Sequence, residues 1–132
     1  MEELTEKRVW QRVRGEHDST ERVRAILADQ GPVLGTYRAM SRRGGAWRRL
    51  WELKEEQVAC LRGLLRVLTG QSAARPRPGG CGDLSACLAA ERRLLGELTE
   101  LSRDAQAGDL VGLLTEGQRR ICRLCLELMG SS

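Results

Sequence analysis

Five polar residues fall at helix positions where apolar side chains are expected, and two of them are carboxylates that could ligate a metal. On a helical wheel of about 100° per residue, the apolar stripes include Glu16, Lys54, Gln57, Glu91 and Gln118. A buried carboxylate is costly unless it is paired with a cation or ligates a metal. One such residue alone could reach solvent at the bundle edge or form a local hydrogen bond. Because every helical segment places one near its middle, the sequence predicts a shared polar cluster in the interior.

The other residues with chemical potential are the cysteines and one histidine. Cys122 and Cys125 have Cys-x-x-Cys spacing, but both fall on the apolar face of a helix. A zinc site needs a second ligand pair, and Cys81 and Cys87 fit that role poorly. We therefore interpret Cys122 and Cys125 as core thiols. His17 is the only histidine, and no neighbouring nucleophile makes it a catalytic base, so we interpret it as structural.

Four helical segments must position these residues. Apolar side chains at helical spacing predict helices over about residues 3–28, 46–69, 83–108 and 109–129. Residues 33–45 are compatible with either a short helix or an irregular segment. The apolar stripe of the fourth helix is predicted to run from Leu110 to Met129.

Capping and breaking residues set the predicted boundaries. The stretch from Asp29 to Pro32 is predicted to end the first helix, and Gly70 the second. Asp83 is the predicted N-cap of the third helix. Gly108 is predicted to end that helix, and Asp109 to cap the fourth.

The composition and the connections indicate one all-α domain over residues 1–132. Leu, Arg, Glu and Ala dominate, while aromatic residues make up only 3% of the chain, which favours helices over sheets. Residues 71–82 contain two prolines and three glycines and predict a long flexible crossover. The short connection between the last two helices requires them to be antiparallel neighbours. The sequence thus predicts two antiparallel helix pairs joined by the crossover.

This layout resembles the ferritin-like, rubrerythrin-type four-helix bundle. In that family each helix pair carries one Glu and one Glu-x-x-His motif, and the six residues hold two metal ions. The segments RGEHDSTERVRAIL and LSACLAAERRLLGEL are similar to the first and third helices, with Glu16 and Glu91 at the ligand positions. The segments LWELKEEQVACLRGLLRVLTG and LVGLLTEGQRRICRLCLELM correspond to the second and fourth. The resemblance implies a di-metal site and oxidase or peroxidase chemistry.

The family's remaining ligands are replaced in this chain. The Glu-x-x-His positions hold Lys54 and Gln57 in the second helix and Gln118 and Ile121 in the fourth. An ammonium group has no lone pair for a metal and repels cations. The sequence therefore predicts no metal and no cofactor, with Glu16 and Glu91 as residual ligand positions.

An alternative register places Glu56 and Glu116 at the Glu positions of those two motifs. Both residues then point away from the apolar stripes, and Ala59 and Arg119 stand where histidine is required. Neither register restores a Glu-x-x-His pair.

The resulting hypothesis is a degenerate, non-catalytic ferritin-like protein that acts through a protein partner or as a homodimer. Two alternatives stay open: a metal-binding oxidoreductase or carrier of iron or another divalent metal on Glu16 and Glu91, and an unrelated helical adaptor or regulator. Lys54 is expected to lie between Glu16 and Glu91 in place of a metal.

Charge and cysteine usage limit the partners and the location. The net charge of +4 is mild, and Arg alternates with Glu along the helices, so we expect no nucleic-acid partner. No apolar run approaches the ~20 residues that span a bilayer, so we expect no membrane contact. The charged first residues do not resemble a signal peptide, and five cysteines is an odd number. We therefore expect reduced thiols and a cytoplasmic location.

Overall fold

The computed structural model describes residues 19–80, 82–103 and 108–131, most of which are α-helical. No strand occurs within these ranges, in agreement with the predicted all-α class. In chain order, the helices are α1 (residues 19–28), α2 (Gln30–Met40), α3 (Gly45–Thr69), α4 (Leu84–Leu101) and α5 (Gly108–Ser131).

The helices pack side by side as a bundle. Helix α2 packs against α3, and α5 lies between α3 and α4 and contacts both. Helix α2 also contacts α4, which closes the bundle. Arg22 of α1 forms an exposed ion pair with Glu100 near the end of α4, at 3.0 Å. Together, α1 and α2 occupy one of the four helix positions of the bundle, and α3, α4 and α5 occupy the other three.

The first helix ends at Ala28, as predicted, but a separate helix, α2, begins after one turn residue and includes Pro32. Asp29 itself keeps right-handed helical dihedral angles. The ring of Pro32 would clash with the carbonyl of residue 28 in a continuous helix, and Pro32 has no N–H to donate. In the first turn of a new helix that missing donor costs nothing. Pro32 therefore fits the first turn of α2, and the α1–α2 kink is the single turn residue Asp29 between the two helices.

Residues 33–45, for which the sequence allowed either a short helix or an irregular segment, are mostly helical. They form the rest of α2 and a 3-10 turn, Ser41–Arg43. The chain then reverses at Gly44 and Gly45, whose φ angles of 71° and 55° are left-handed and favour glycine. This reversal sets α2 against α3.

The other predicted boundaries were partly correct. Asp83 accepts a hydrogen bond from the Ala86 N–H at 2.8 Å and caps α4 as predicted. Gly70 ends α3 in a left-handed conformation, also as predicted. However, α4 ends at Leu101 rather than at Gly108, which begins α5.

The core consists of two apolar clusters separated by a polar layer. The first cluster includes Leu61 of α3, Leu98 of α4 and Leu114 of α5. The second includes Leu50 of α3 and Ile121 of α5. On each of these helices, the buried polar residues fall between the two sets. Members of the polar layer are Lys54 and Gln57 on α3, Glu91 on α4 and Gln118 on α5.

The connection between α3 and α4 lies along α2. The Gly79 N–H donates to the Gly31 carbonyl at 2.8 Å. Arg62 of α3 donates to the Ala73 carbonyl at 3.0 Å, and Arg75 pairs with Glu55. At Gly35, the Gly79 carbonyl occupies the space that a Cβ atom would need. The sequence predicted a flexible crossover, and in the structure these contacts hold the described part of the connection against α2 and α3.

We predict that Gly35→Ala destabilises the protein by about 1–3 kcal/mol, because the added methyl group meets a backbone carbonyl that cannot rotate away. Gly63→Ala is the matched control, since it lies within α3 and its added Cβ would meet no atom within 4 Å. That change should be neutral or stabilise by up to ~1 kcal/mol. Urea denaturation of both variants measures the effect. Equal stability of the two variants would contradict the close contact.

Candidate functional site

The polar layer is centred on an ion pair between α3 and α4. The Lys54 ammonium lies 2.6 Å from Glu91 Oε1, and both side chains are 0% exposed. Each residue occupies an otherwise apolar helix face, because the neighbouring turns contribute leucine and valine side chains to the core. A buried charge is tolerated only when it is paired and hydrogen bonded. Each of the two charges can therefore stay buried only because the other is present.

Two glutamines complete the layer toward α5. Gln118 donates through Nε2 to the backbone carbonyl of Glu91 at 2.9 Å and to its Oε1 at 3.2 Å. Gln57 donates through Nε2 to the Leu114 carbonyl at 2.7 Å and to Gln118 Oε1 at 3.3 Å. Both glutamines satisfy polar atoms without adding charge. The layer thereby connects α3, α4 and α5.

The other carboxylate oxygen of Glu91 is bound from α2. The Tyr37 hydroxyl donates to Glu91 Oε2 at 3.2 Å, and the Cys125 sulfur lies 3.1 Å from the same hydroxyl. In this second contact, either the hydroxyl or the thiol can act as the donor. Burial, reinforced by the charge of Glu91, raises the pKa of Tyr37 and keeps it a neutral phenol.

Burial also makes the nearby thiols weak acids. It raises the pKa of Cys125 from 9.0 to about 11, against the opposing effect of the Tyr37 hydrogen bond. The pKa of Cys122 is raised as well, mainly by burial and then by the charge of Glu91. Thiolates are the reactive and metal-binding form of cysteine. The Cys-x-x-Cys pair is therefore suited to packing rather than to redox or metal chemistry.

The structure brings four of the five interior residues named from the sequence into one layer: Lys54, Gln57, Glu91 and Gln118. Glu16 lies outside the described residues, so its expected place beside Lys54 stays a prediction. His17 and Cys81 lie outside them too. The described cysteines, Cys60, Cys87, Cys122 and Cys125, form no disulfide bonds.

Sequence reasoning missed Tyr37 and the role of Cys125. Tyr37 lies in the segment whose helical state was open, so it was assigned to no face. The one sequence feature that could have indicated a buried Tyr37 is its i+4 spacing from Val33, and both residues are buried. Cys125 was assigned to the core, and it is 0% exposed there, but a wheel cannot show a partner on another helix.

Side chains of the described residues already occupy both oxygens of the Glu91 carboxylate. Both Glu91 oxygens already accept hydrogen bonds, from Lys54 and Gln118 on one side and Tyr37 on the other. Across the described ranges, no three His, Cys, Asp or Glu side chains are grouped to hold a metal ion. A di-metal site needs several carboxylates to neutralise its ions, and here an ammonium group neutralises the one carboxylate.

Comparison of the chain with models of known protein families, with curated proteins and with solved structures found no significant match. Among the described residues, no helix is long and apolar enough to cross a membrane.

We predict that Lys54→Met lowers the free energy of unfolding by about 3–5 kcal/mol, because it strands the Glu91 carboxylate in the core. The double variant Lys54→Met/Glu91→Leu should recover much of that loss, since it buries no charge. The exposed pair Arg22–Glu100 provides the control, and Arg22→Ala should cost less than ~1 kcal/mol. Denaturant unfolding at pH 7 gives all three values. A double variant no more stable than Lys54→Met would contradict the coupling.

We also predict that Cys60 is alkylated much faster than Cys125 in the folded protein at pH 8. Cys60 is exposed, whereas a pKa near 11 reduces the thiolate fraction of Cys125 about 100-fold relative to 9.0. Its alkylation should accelerate as pH rises toward about 11. Because the pKa of Cys125 is higher in the folded protein than in the unfolded chain, folding stability depends on pH. The contribution of the protonated Cys125 thiol to stability is complete below pH 9.0 and is lost as pH rises toward about 11.

Iodoacetamide labelling followed by tryptic peptide mapping measures the alkylation rates. Trypsin separates Cys122 from Cys125 by cleavage after Arg123, so each thiol is read independently. Labelling in urea provides the unfolded control, in which the rates should converge. Equal rates for Cys60 and Cys125 in the folded protein would contradict the burial of Cys125.

Proposed function

We propose that this chain is a ferritin-like bundle in which an internal ion pair takes the place of the metal centre, and that it acts without catalysis through a protein partner. The observation that carries this proposal is the 2.6 Å contact between Lys54 and Glu91, both fully buried. The ammonium supplies the positive charge that a metal would bring to the carboxylate. It offers no lone pair, no open coordination position and no redox state.

The surface best suited to a partner is the basic corner, defined as Arg42, Arg43, Arg48 and Arg49 at the junction of α2 and α3. All four side chains are exposed. The only carboxylate that pairs with them among the described residues is Glu52, at 3.4 Å from Arg48 and 3.7 Å from Arg49. The basic corner therefore carries a net positive charge.

The start of α3 increases that positive potential. Its N-cap is Gly44, no side chain caps it, and its first turn contains no acidic residue. The positive end of the helix dipole thus adds to the arginine charges instead of being compensated. The Arg43 guanidinium lies 4.7 Å from the centre of the Trp47 ring, which gives the corner an apolar element. Arginine forks on such a surface fit the carboxylates of an acidic protein segment.

We predict that a fluorescent peptide rich in Glu and Asp binds the protein, and that Arg42→Gln/Arg43→Gln weakens binding about 10-fold at low salt. Added salt should reduce the difference, because exposed charges are screened. Arg119→Gln/Arg120→Gln is the matched control, since it removes two adjacent exposed arginines from α5. Fluorescence anisotropy provides the affinities. Equal weakening by both double variants, or tighter binding to a nucleic-acid homopolymer, would contradict a specific acidic protein partner.

A metal titration tests the proposal that the ion pair takes the place of a metal centre. Purified protein titrated calorimetrically with Fe²⁺ and Zn²⁺ should show no stoichiometric site that depends on Glu91. Stoichiometric binding that Glu91→Gln abolishes would favour the alternative of a metal-binding ferritin-like protein.

A further inference from the structure

A cleft of about 490 Å³ lies between the α1–α2 kink and α4. On α4, the cleft is lined by the small side chains of Ala86 and Ala90. Its apolar wall consists of Pro32, Val33, Ala86, Ala90 and Leu94. Glu91 lines the cleft as well, which connects it to the polar layer.

Gln30, a residue of the cleft lining, holds a hydrogen-bond acceptor that has no partner. It lines the cleft and is only 5% exposed. Its Nε2 donates to the Ile26 carbonyl at 2.8 Å, which fixes the direction of the amide. Its Oε1 is the one buried side-chain nitrogen or oxygen without a hydrogen-bond partner in the described part of the chain. Because an unsatisfied buried acceptor is costly, this position favours a ligand that brings an N–H donor.

Charges of both signs surround the opening. Arg93 and Glu97 lie one turn apart on α4, and Asp29 lies opposite at the kink; all three are exposed and line the cleft. None of the three forms an ion pair within the described residues, although Arg93 and Glu97 have the i,i+4 spacing. The opening thus offers a guanidinium for a carboxylate and two carboxylates for a cation.

We propose that this cleft binds a free α-amino acid with an aliphatic side chain. The ammonium group of the ligand matches the Gln30 acceptor and the Asp29 and Glu97 carboxylates. Its carboxylate matches the Arg93 guanidinium, and its side chain matches the accessible apolar wall formed by Pro32, Ala86 and Ala90. A zwitterion satisfies both signs of charge at once, which a simple amine or carboxylic acid does not. This ligand site goes beyond the proposed function, since the basic corner requires no small molecule.

The test compares L-leucine with two analogues that each lack one charge. 3-Methylbutylamine lacks the carboxylate, and 4-methylpentanoate lacks the ammonium group. Titrations of the full chain are followed by ¹H–¹⁵N NMR shifts of residues in the cleft. L-Leucine should give saturable shifts there, and each analogue should bind about 10-fold more weakly or worse.

Two variants and a control locate the site. Arg93→Gln should weaken L-leucine about 10-fold while leaving the affinity for 3-methylbutylamine unchanged. Gln30→Met removes the acceptor and should weaken both ligands. Arg92→Gln is the matched control, an exposed arginine beside Arg93 that does not line the cleft, and it should bind as the parent does.

Several outcomes would overturn the proposal. They are the absence of saturable shifts up to the solubility limit of L-leucine, equal binding of the three compounds, and an Arg93→Gln affinity equal to that of Arg92→Gln. Because Arg93 is exposed, Arg93→Gln should fold as the parent does. It therefore tests the proposal even if Gln30→Met fails to fold.

Discussion

One ammonium group buried at mid-bundle constrains the arrangement of the helices. Lys54 is fully buried, and its partner Glu91 lies on another helix, so α3 and α4 must keep one longitudinal register. A shift of either helix by one turn would move a charge into an apolar cluster. Gln118 and Tyr37 extend the same requirement to α5 and α2. A buried ion pair contributes little net stability compared with apolar residues. What the pair requires is one alignment of α3 and α4, in which the two charges meet.

The second constraint is the close backbone approach at α2. Residues 77–79 can lie against this helix only because Gly31 and Gly35 present no side chain on that side. The Gly79–Gly31 hydrogen bond then holds the connection in place. Pro32 lies in the same region and lines the cleft beside α4. A short stretch of glycine and proline therefore both admits the connection and contributes to the wall of the cleft.

Much of the polar layer could be predicted from the sequence, because a polar residue within an apolar stripe is visible on a single helix. Lys54, Gln57, Glu91 and Gln118 were found in this way. Tyr37 and Gln30 were not, since both lie near Gly31 and Pro32, which are typical of a helix end. The sequence could not show that tertiary packing would restart the helix after Asp29. Leu110 and Met129 were assigned to the buried stripe of the fourth helix, yet each is 37% exposed. Both lie near the ends of α5, where the neighbouring helices give less cover.

The pairing of Lys54 with Glu91 also restricts how this interior can change during evolution. Replacing Lys54 by a ligand such as glutamate would leave two buried carboxylates without a counterion, and replacing Glu91 first would leave an unpaired ammonium. Each single step costs several kcal/mol, which is a large part of the stability of a small domain. The two positions are therefore epistatic: a lineage leaves this state only by changing both together or after gaining stability elsewhere. Once such an ion pair is established, a change to a metal-binding interior must pass through single-residue variants that fold poorly.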